Sequence, residues 1–107
     1  MARFAVVGHV EWVDFIRVER LPVAGEIIHA SQWWEEPGGG GAVAAVQLAK
    51  LAGAGSLFTA LAGNDLGRRA ERELTGLGLQ VHASFHHSDA QRRAVTFIQA
   101  NGERTIT

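Results

Sequence analysis

The sequence predicts an α/β fold in which a parallel sheet is flanked by helices and carries an appended antiparallel flap. Short, almost continuously apolar runs at 4–7 and 56–62 are typical of strands that are buried on both faces of a parallel sheet. Helical patterns at 42–52 and 66–77 follow strand patterns, and this alternation is typical of parallel α/β architecture. Extended segments before the first helix and a hairpin turn near residue 101 indicate the flap.

The flap is predicted to begin directly after the first strand. From Val10 to Arg20 apolar side chains occupy both alternating sets, so neither face of this strand is clearly polar. Turn residues follow at 21–25, and the segment Glu26 to Trp34 predicts a second strand. An exposed, aromatic-bearing pair of this kind needs a partner surface or a ligand to cover it.

Glycines divide the middle of the chain into helices and strands. A glycine-rich loop at 37–41 opens a helix over 42–52 that is apolar almost all round, and Gly53 ends it. The strand at 56–62 comes next, and Asn64 or Asp65 is the expected N-cap of the second helix. One face of that helix carries leucine and alanine, at positions 66, 70, 74 and 77.

The last third predicts strands at 79–85 and 93–100, followed by a two-residue hairpin turn at Asn101-Gly102. Pairing after this turn places residues 103–107 in a further strand. Because the sequence stops inside that strand, we expect a longer protein of which residues 1–107 are the N-terminal part, without an internal domain boundary.

Composition excludes several classes of function. The formal charge of −1 argues against a nucleic-acid surface, and the absence of cysteine excludes disulfides, thiolate metal sites and a cysteine nucleophile. No run of about 18 apolar residues suggests a membrane span. We therefore expect a cytoplasmic protein with neither nucleic-acid nor membrane partners.

The glycine loop fits neither of two well-defined phosphate-binding motifs. A P-loop ends in Gly-Lys-Ser/Thr, whereas Gly41 precedes Ala42 and Val43, and the dinucleotide fingerprint lacks its third glycine because Val43 stands there. On composition alone, the loop is equally compatible with a ligand site and with close packing of a helix on a strand.

The wider pattern resembles the ribokinase-like (PfkB) carbohydrate kinases. The order of segments resembles the N-terminal signature of that family: Gly39-Gly40-Gly41-Ala42, a helix, Gly53, nine intervening residues, and then Gly63-Asn64-Asp65-Leu66-Gly67. The flanking segments agree: Val6-Val7-Gly8 with Asp14 resembles the first strand and its sugar-binding acid, and 93–104 resembles a later strand pair. The resemblance covers essentially all 107 residues.

This resemblance implies a ribokinase-like parallel sheet with a β lid, formed here by segments at about 10–36 and 93–107. In such kinases the lid closes over a sugar or nucleoside and often forms a homodimer contact. By the same resemblance, Asp14 would accept hydrogen bonds from substrate hydroxyls, and Gly39, Gly40 and Gly41 would let the backbone approach the sugar.

Two departures from the family pattern affect the predicted site. Ala44 stands in register with an asparagine that binds the sugar in the family. The step from Gly8 to Asp14 is one residue longer than usual, so either Glu11 or Asp14 is the acid that enters the site. Trp12 lies between them and is expected either to stack on a sugar or to pack within the lid.

The function implied is phosphoryl transfer from ATP, with Mg²⁺, to a hydroxymethyl group of a sugar or nucleoside. The family's catalytic aspartate and nucleotide site lie in a C-terminal half, so we expect no catalytic, cofactor or metal residues in this chain, and no turnover by it alone. The alternative is a non-catalytic sugar-binding or dimerisation module, which the absence of the family's asparagine at Ala44 favours.

Overall fold

The computed structural model describes residues 3–107 and contains two sheets and two helices in that part of the chain. The strands and helices occur in this order: β1 (Ala5–Val7), β2 (Glu11–Arg17), β3 (Gln32–Gly38), α1 (Gly40–Ala52), β4 (Gly55–Ala62), α2 (Asp65–Gly76), β5 (Leu79–His86), β6 (Arg93–Ile98) and β7 (Arg104–Ile106). The predicted α/β class with a parallel sheet and an appended β lid is confirmed.

A parallel sheet in the order β1-β4-β5, with α1 and α2, forms what we call the body. Leu57 and Leu61 of β4 are completely buried against the helices, where they meet Ala45 of α1 and Leu74 of α2. Small residues on α1 let it lie close to the sheet, and leucines on α2 fill the space that remains. The body positions the carboxyl ends of β1 and β4 beside the second sheet.

The other face of the body sheet is open. Val7 is 84% exposed and Phe58 is 43% exposed, and the Phe58 ring stacks on His82 with centroids 4.5 Å apart. Parallel sheets are normally covered on both faces, so an aromatic and an aliphatic side chain on the free face mark a surface that lacks its cover.

The second sheet, the lid sheet, has the order β3-β2-β6-β7. Its two outer pairs are antiparallel, as predicted, but β2 and β6 pair in parallel, from Trp12 opposite Arg93 to Arg17 opposite Ile98. The lid sheet is therefore mixed. The predicted antiparallel pairs are joined along β2 and β6, a long-range pairing that local patterns do not indicate.

The predicted strand over Glu26 to Trp34 is wrong in its position. The observed strand begins at Gln32 and continues through Pro37 to Gly38. Proline is tolerated there because β3 is an edge strand. Residues before it are drawn into a loop instead, since Glu26 pairs with Arg20 and its backbone N–H donates to the carbonyl of Val23 at 3.0 Å.

Turns and caps follow the expected chemistry, with one change. Asn64 is the N-cap of α2 and its side chain accepts from the backbone N–H of Gly67 at 3.0 Å, while Gly53 ends α1 with φ of 89°. The predicted two-residue hairpin turn is a longer one: the backbone N–H of Gly102 donates to the carbonyl of Gln99 at 2.9 Å. Gly102 has a φ of 87°, which its lack of a side chain allows. Neither helix described is long and apolar enough to cross a membrane.

Candidate functional site

A central groove of about 400 Å³ lies where β1 ends, between the lid sheet and the start of α1. Strands of the lid sheet form its floor and the glycine loop with the first turn of α1 forms one wall. Its lining residues are His9, Glu11, Val13, Phe15, Gly38, Gly39, Gly40, Val43, Ala94, Thr96, Arg104 and Ile106. This cleft at the carboxyl end of a parallel strand is the usual place for a ligand in an α/β protein.

Strand β2 presents alternate residues to the groove and away from it. Glu11, Val13 and Phe15 line the groove, so Trp12 and Asp14 point to the opposite face of the lid sheet. Of the two acids that the sequence left open, the structure places Glu11 in the groove. Asp14, three residues further along β2, lies on the other face because side chains alternate along a strand.

His9 connects Glu11 to the glycine loop. Its Nε2 accepts a hydrogen bond from the backbone N–H of Gly40 at 3.4 Å and lies 3.8 Å from Oε1 of Glu11. A Cβ on Gly39 would lie 3.0 Å from both the backbone nitrogen of Glu11 and Cδ2 of His9. Gly39 also has φ of 88°, which favours glycine. The loop therefore needs glycine in order to lie against residues 9–11.

Gly41 serves packing between α1 and β1. A Cβ there would lie 2.5 Å from the carbonyl carbon of Gly8, and a Cβ on Gly8 would lie 2.7 Å from Cα of Gly41. Neither residue lines the central groove. Gly39 and Gly40 line the groove, whereas Gly41 brings the helix against the strand.

Helix α1 offers an apolar side chain to the groove. Val43 lines it and is 57% exposed, while Ala44 is exposed but does not line it. The α1 side chain that lines the groove is therefore Val43, one residue before Ala44, the position that the family resemblance indicated. Neither residue supplies a hydrogen-bonding side chain.

Trp12 and Asp14 belong to a buried and charged cluster behind the groove. Trp12 is completely buried, and its Nε1–H donates to Oε1 of Glu35 at 2.9 Å. Arg93 lies 3.2 Å from Oδ2 of Asp14 and 4.0 Å from Oε1 of Glu35. The guanidinium carbon of Arg69 lies 4.5 Å from the centroid of the Trp12 ring. Trp12 is thus packed between the lid sheet and α2.

The same cluster lowers the pKa of Glu35. The largest cause is the hydrogen bond from Trp12, and the positive charges of Arg69 and Arg93 act in the same direction against the effect of burial. Glu35 is therefore held as a carboxylate that accepts from the indole and faces two guanidinium groups.

The groove combines hydrogen-bonding groups with apolar side chains. Glu11 accepts hydrogen bonds, Thr96 and Arg104 can donate them, and Val13, Phe15, Val43, Ala94 and Ile106 are apolar. A carboxylate suits vicinal hydroxyls because each charge-assisted hydrogen bond is stronger than a neutral one. Within residues 3–107 no three or more metal-ligating side chains are grouped to hold a metal ion.

Three polar groove residues, His9, Thr96 and Arg104, were not among the predicted site residues. His9 lies two residues after the end of the parallel strand β1, a position that could have indicated a ligand contact. Thr96 and Arg104 enter the groove only because β6 pairs with β2 and β7 with β6. Nothing in the local sequence indicates these pairings.

The chain matches the family model described as "pfkB family carbohydrate kinase" over residues 1–107. No curated protein sequence matches it significantly.

Solved structures agree with the family model. Ribokinase from Cryptococcus neoformans var. grubii serotype A, in complex with ADP, is 26% identical with a TM-score of 0.82, covering 100% of this chain and 34% of its own. Arabidopsis thaliana ribokinase, complexed with ribose and ATP, is 27% identical with a TM-score of 0.71, and the match covers 98% of this chain and 35% of that ribokinase. Escherichia coli phosphofructokinase-2, in complex with fructose-6-phosphate, shares the fold with 20% identity and a TM-score of 0.82, covering 99% and 35%. The chain thus spans about a third of the length of these structures.

Proposed function

Because the chain belongs to the pfkB family of carbohydrate kinases, we propose that its central groove binds the acceptor of an ATP-dependent phosphoryl transfer. The acceptor is a sugar or nucleoside, and its hydroxymethyl group receives the phosphoryl group. In this proposal residues 1–107 are the N-terminal part of the kinase domain, with the lid sheet covering the acceptor.

The observation that carries the proposal is the position of Glu11 in an otherwise mainly apolar groove. Its carboxylate is 24% exposed and lies opposite the glycine loop, where it would accept hydrogen bonds from two neighbouring hydroxyls. The C–H face of the sugar would pack on Val13 and Phe15, and Arg104 would donate to a further oxygen. Of the two acids that the sequence left open, the proposal uses Glu11, and Asp14 and Trp12, which do not line the groove, have no part in it.

ATP and Mg²⁺ are proposed for the whole kinase, since phosphoryl transfer depends on charge stabilisation by a metal. The related ribokinases were solved with ADP and with ribose and ATP, which supports nucleotide and sugar use here. The resemblance of the chain to the family's N-terminal part leads us to assign nucleotide binding and catalysis to polypeptide beyond residues 1–107, and we expect no turnover by this chain alone.

The open face of the body sheet supports this assignment. Val7 and the stacked Phe58 and His82 are exposed on a parallel sheet of which only one face carries helices. The further polypeptide of a complete kinase would cover them.

A non-catalytic sugar-binding or dimerisation module is the second candidate. The observation that favours it is that valine occupies two groove positions, Val13 and Val43, so the groove offers few hydrogen bonds to a sugar. For either candidate we also propose a homodimer through the lid sheet, whose edge strands expose Trp33 (62%) and Ile106 (65%), and a cytoplasmic location.

The acceptor role is tested by titrating the chain and two isosteric variants with D-ribose and with adenosine, followed by NMR. We expect Glu11→Gln to weaken binding of the better probe by about tenfold or more, because a charged hydrogen-bond acceptor is lost. Asp14→Asn should leave binding within about twofold, because Asp14 faces away. Equal affinities for all three proteins would refute the acceptor site.

Catalysis is tested separately on a protein that continues beyond Thr107. ATP consumption is measured over a panel of sugars and nucleosides. Acceptor-dependent consumption supports the kinase, whereas binding without consumption for every acceptor favours the non-catalytic module.

A further inference from the structure

The central groove changes its chemistry along β2. Glu11, Val13 and Phe15 line it in that order, so it follows the strand for four residue steps, a length of about 13 Å. Glu11 pairs with Gly38, near the start of α1, and therefore lies at the body end of the groove. Phe15 lies further out along the lid sheet.

The middle of the groove is apolar. β2 and β6 place Val13 beside Ala94 on the floor, where Val13 is 5% exposed and Ala94 is 6% exposed. Glu36, the partner of Val13 on β3, does not line the groove, whereas Val43 lines it from the wall and is 57% exposed. A hydroxyl group buried against these side chains would find no hydrogen-bond partner among them, which weakens binding.

The outer end of the groove combines an aromatic ring with hydrogen-bond donors. The Phe15 ring is stacked on Trp34, with centroids 5.3 Å apart and planes inclined by 7°, so its position is fixed from the lid side. Thr96 lies beside Phe15 in the parallel register, and Arg104 of β7 also lines the groove. A ring surface next to a hydroxyl and a guanidinium suits a flat heterocycle, because its face packs on the ring and its edge atoms accept hydrogen bonds.

Two other acceptors fit this arrangement less well. A free pentose is shorter than the groove, and the hydroxyls that do not meet Glu11 would lie against Val13 and Val43. A phosphorylated sugar would bring its phosphate to Arg104, but phosphate groups are usually held by several charged or backbone donors. The outer end offers one guanidinium and one hydroxyl, beside the apolar Phe15 and Ile106.

We propose that the acceptor is a nucleoside. Its ribose lies at the body end, where the two neighbouring hydroxyls donate to Glu11, and its base lies on Phe15 with an edge toward Arg104 and Thr96. Phe15 and Arg104 are then the residues that favour a nucleoside over a free sugar. This inference rests on the proposed function and specifies the acceptor within it.

The first test compares four probes by NMR titration of the chain: adenosine, uridine, D-ribose and fructose-6-phosphate. Stacking of a base on an aromatic side chain should make at least one nucleoside bind about tenfold or more tightly than D-ribose. The same nucleoside should bind more tightly than fructose-6-phosphate, because the outer end has few donors for a phosphate.

The second test measures how variants change the ratio of nucleoside affinity to ribose affinity. Phe15→Leu keeps an apolar side chain but removes the ring, and it should lower this ratio by about threefold or more. Phe97→Leu is the matched control, since Phe97 follows Thr96 on β6 and therefore faces away from the groove. This control should leave the ratio unchanged.

Two further variants separate the two ends of the groove. Arg104→Gln changes an exposed side chain of an edge strand and should also lower the ratio of affinities. Glu11→Gln should weaken the nucleoside and D-ribose by similar factors, because both present hydroxyls to this carboxylate. The ratio should then stay close to that of the original chain.

The outcomes distinguish this inference from the proposed function. D-ribose or fructose-6-phosphate binding as tightly as both nucleosides overturns the nucleoside assignment and leaves the acceptor site in place. An unchanged ratio in both Phe15→Leu and Arg104→Gln overturns it as well. Absence of binding by all four probes, or equal affinities of the original chain and Glu11→Gln, refutes the acceptor site and the nucleoside assignment with it.

Discussion

Replacing Gly41 with alanine tests whether this glycine, in the first turn of α1, lets the helix pack closely on the residues that follow β1. The added Cβ would lie 2.5 Å from the carbonyl carbon of Gly8 and 2.8 Å from both Cα of Gly8 and the nitrogen of His9. All three neighbours are backbone atoms, so no side chain can rotate away. Non-bonded carbon atoms prefer about 3.5–4.0 Å, and the helix must therefore move by about 1 Å.

The magnitude follows from two opposed effects. Overpacking of a well-packed interior costs about 1–3 kcal/mol, and backbone neighbours place this case at the upper end. The higher helix propensity of alanine relative to glycine stabilises the helix by about 1 kcal/mol. The free energy of unfolding should therefore fall by about 2 kcal/mol, the difference between these two effects.

Gly76→Ala is the matched control. Gly76 is the last residue of α2, and a Cβ there meets nothing within 4 Å. This variant should leave stability unchanged or raise it by about 0.5 kcal/mol. Both substitutions add one methyl group to a helical glycine, so their difference isolates the contact with Gly8.

The assay is urea unfolding followed by far-ultraviolet circular dichroism. With a slope of about 1–2 kcal/mol per molar urea, the midpoint of Gly41→Ala should fall by about 1–2 M. A midpoint at or above that of the original chain would refute the packing argument. A loss of probe binding without loss of stability would show instead that Gly41 serves a ligand.

The remaining predictions concern a buried amide, a helix cap and an ion pair. Gln91→Ala should lower the free energy of unfolding by about 2–4 kcal/mol, because two buried backbone groups lose their hydrogen-bond partners. As a control, replacing the exposed Gln80 with alanine should change it by less than about 0.5 kcal/mol. Similar effects of the two substitutions would contradict the bridging role of Gln91. Asn64→Ala should cost about 1 kcal/mol in urea unfolding through loss of the α2 cap, and no change would argue against the cap. The pKa of Glu26 is lowered from 4.5 to about 2, mainly by its hydrogen bond with Arg20, so its contribution to stability is present above pH 4.5 and is lost as the pH falls through about 2. Arg20→Gln should return the carboxyl titration measured by NMR toward 4.5, and an unchanged titration would refute this cause.

Local patterns predicted most of the elements because each pattern has a local cause. Apolar runs mark buried strands, and the left-handed glycine at Gly53 and the Asn64 cap end and begin helices where the sequence indicated. The prediction of a strand at 26–34 was wrong because an ion pair holds Glu26 in a loop with Arg20, and because the observed strand continues through the edge position Pro37. The periodicity of apolar residues indicates neither of these causes.

The site was predicted less completely because it depends on which strands pair and which face each strand turns inward. The glycine loop and the presence of an acid near the end of β1 were evident in the sequence, but two acids were equally suitable there. Glu11 lines the groove and Asp14 does not, because side chains alternate along β2 relative to a groove formed partly by β6 and β7. A change of one residue in this alternation exchanges the two acids.

The sequence by itself determined the α/β class and the order of the elements, because these follow from apolar periodicity and glycine placement, and its motifs resemble those of the family to which the chain belongs. The tertiary structure alone decided that β2 pairs with β6, that Gly41 packs on Gly8 and that Trp12 lies under Arg69 behind the groove. The physical reason is that these features are contacts between residues far apart in the chain. Their geometry is set by how sheets and helices pack together, and no local pattern of residues records it.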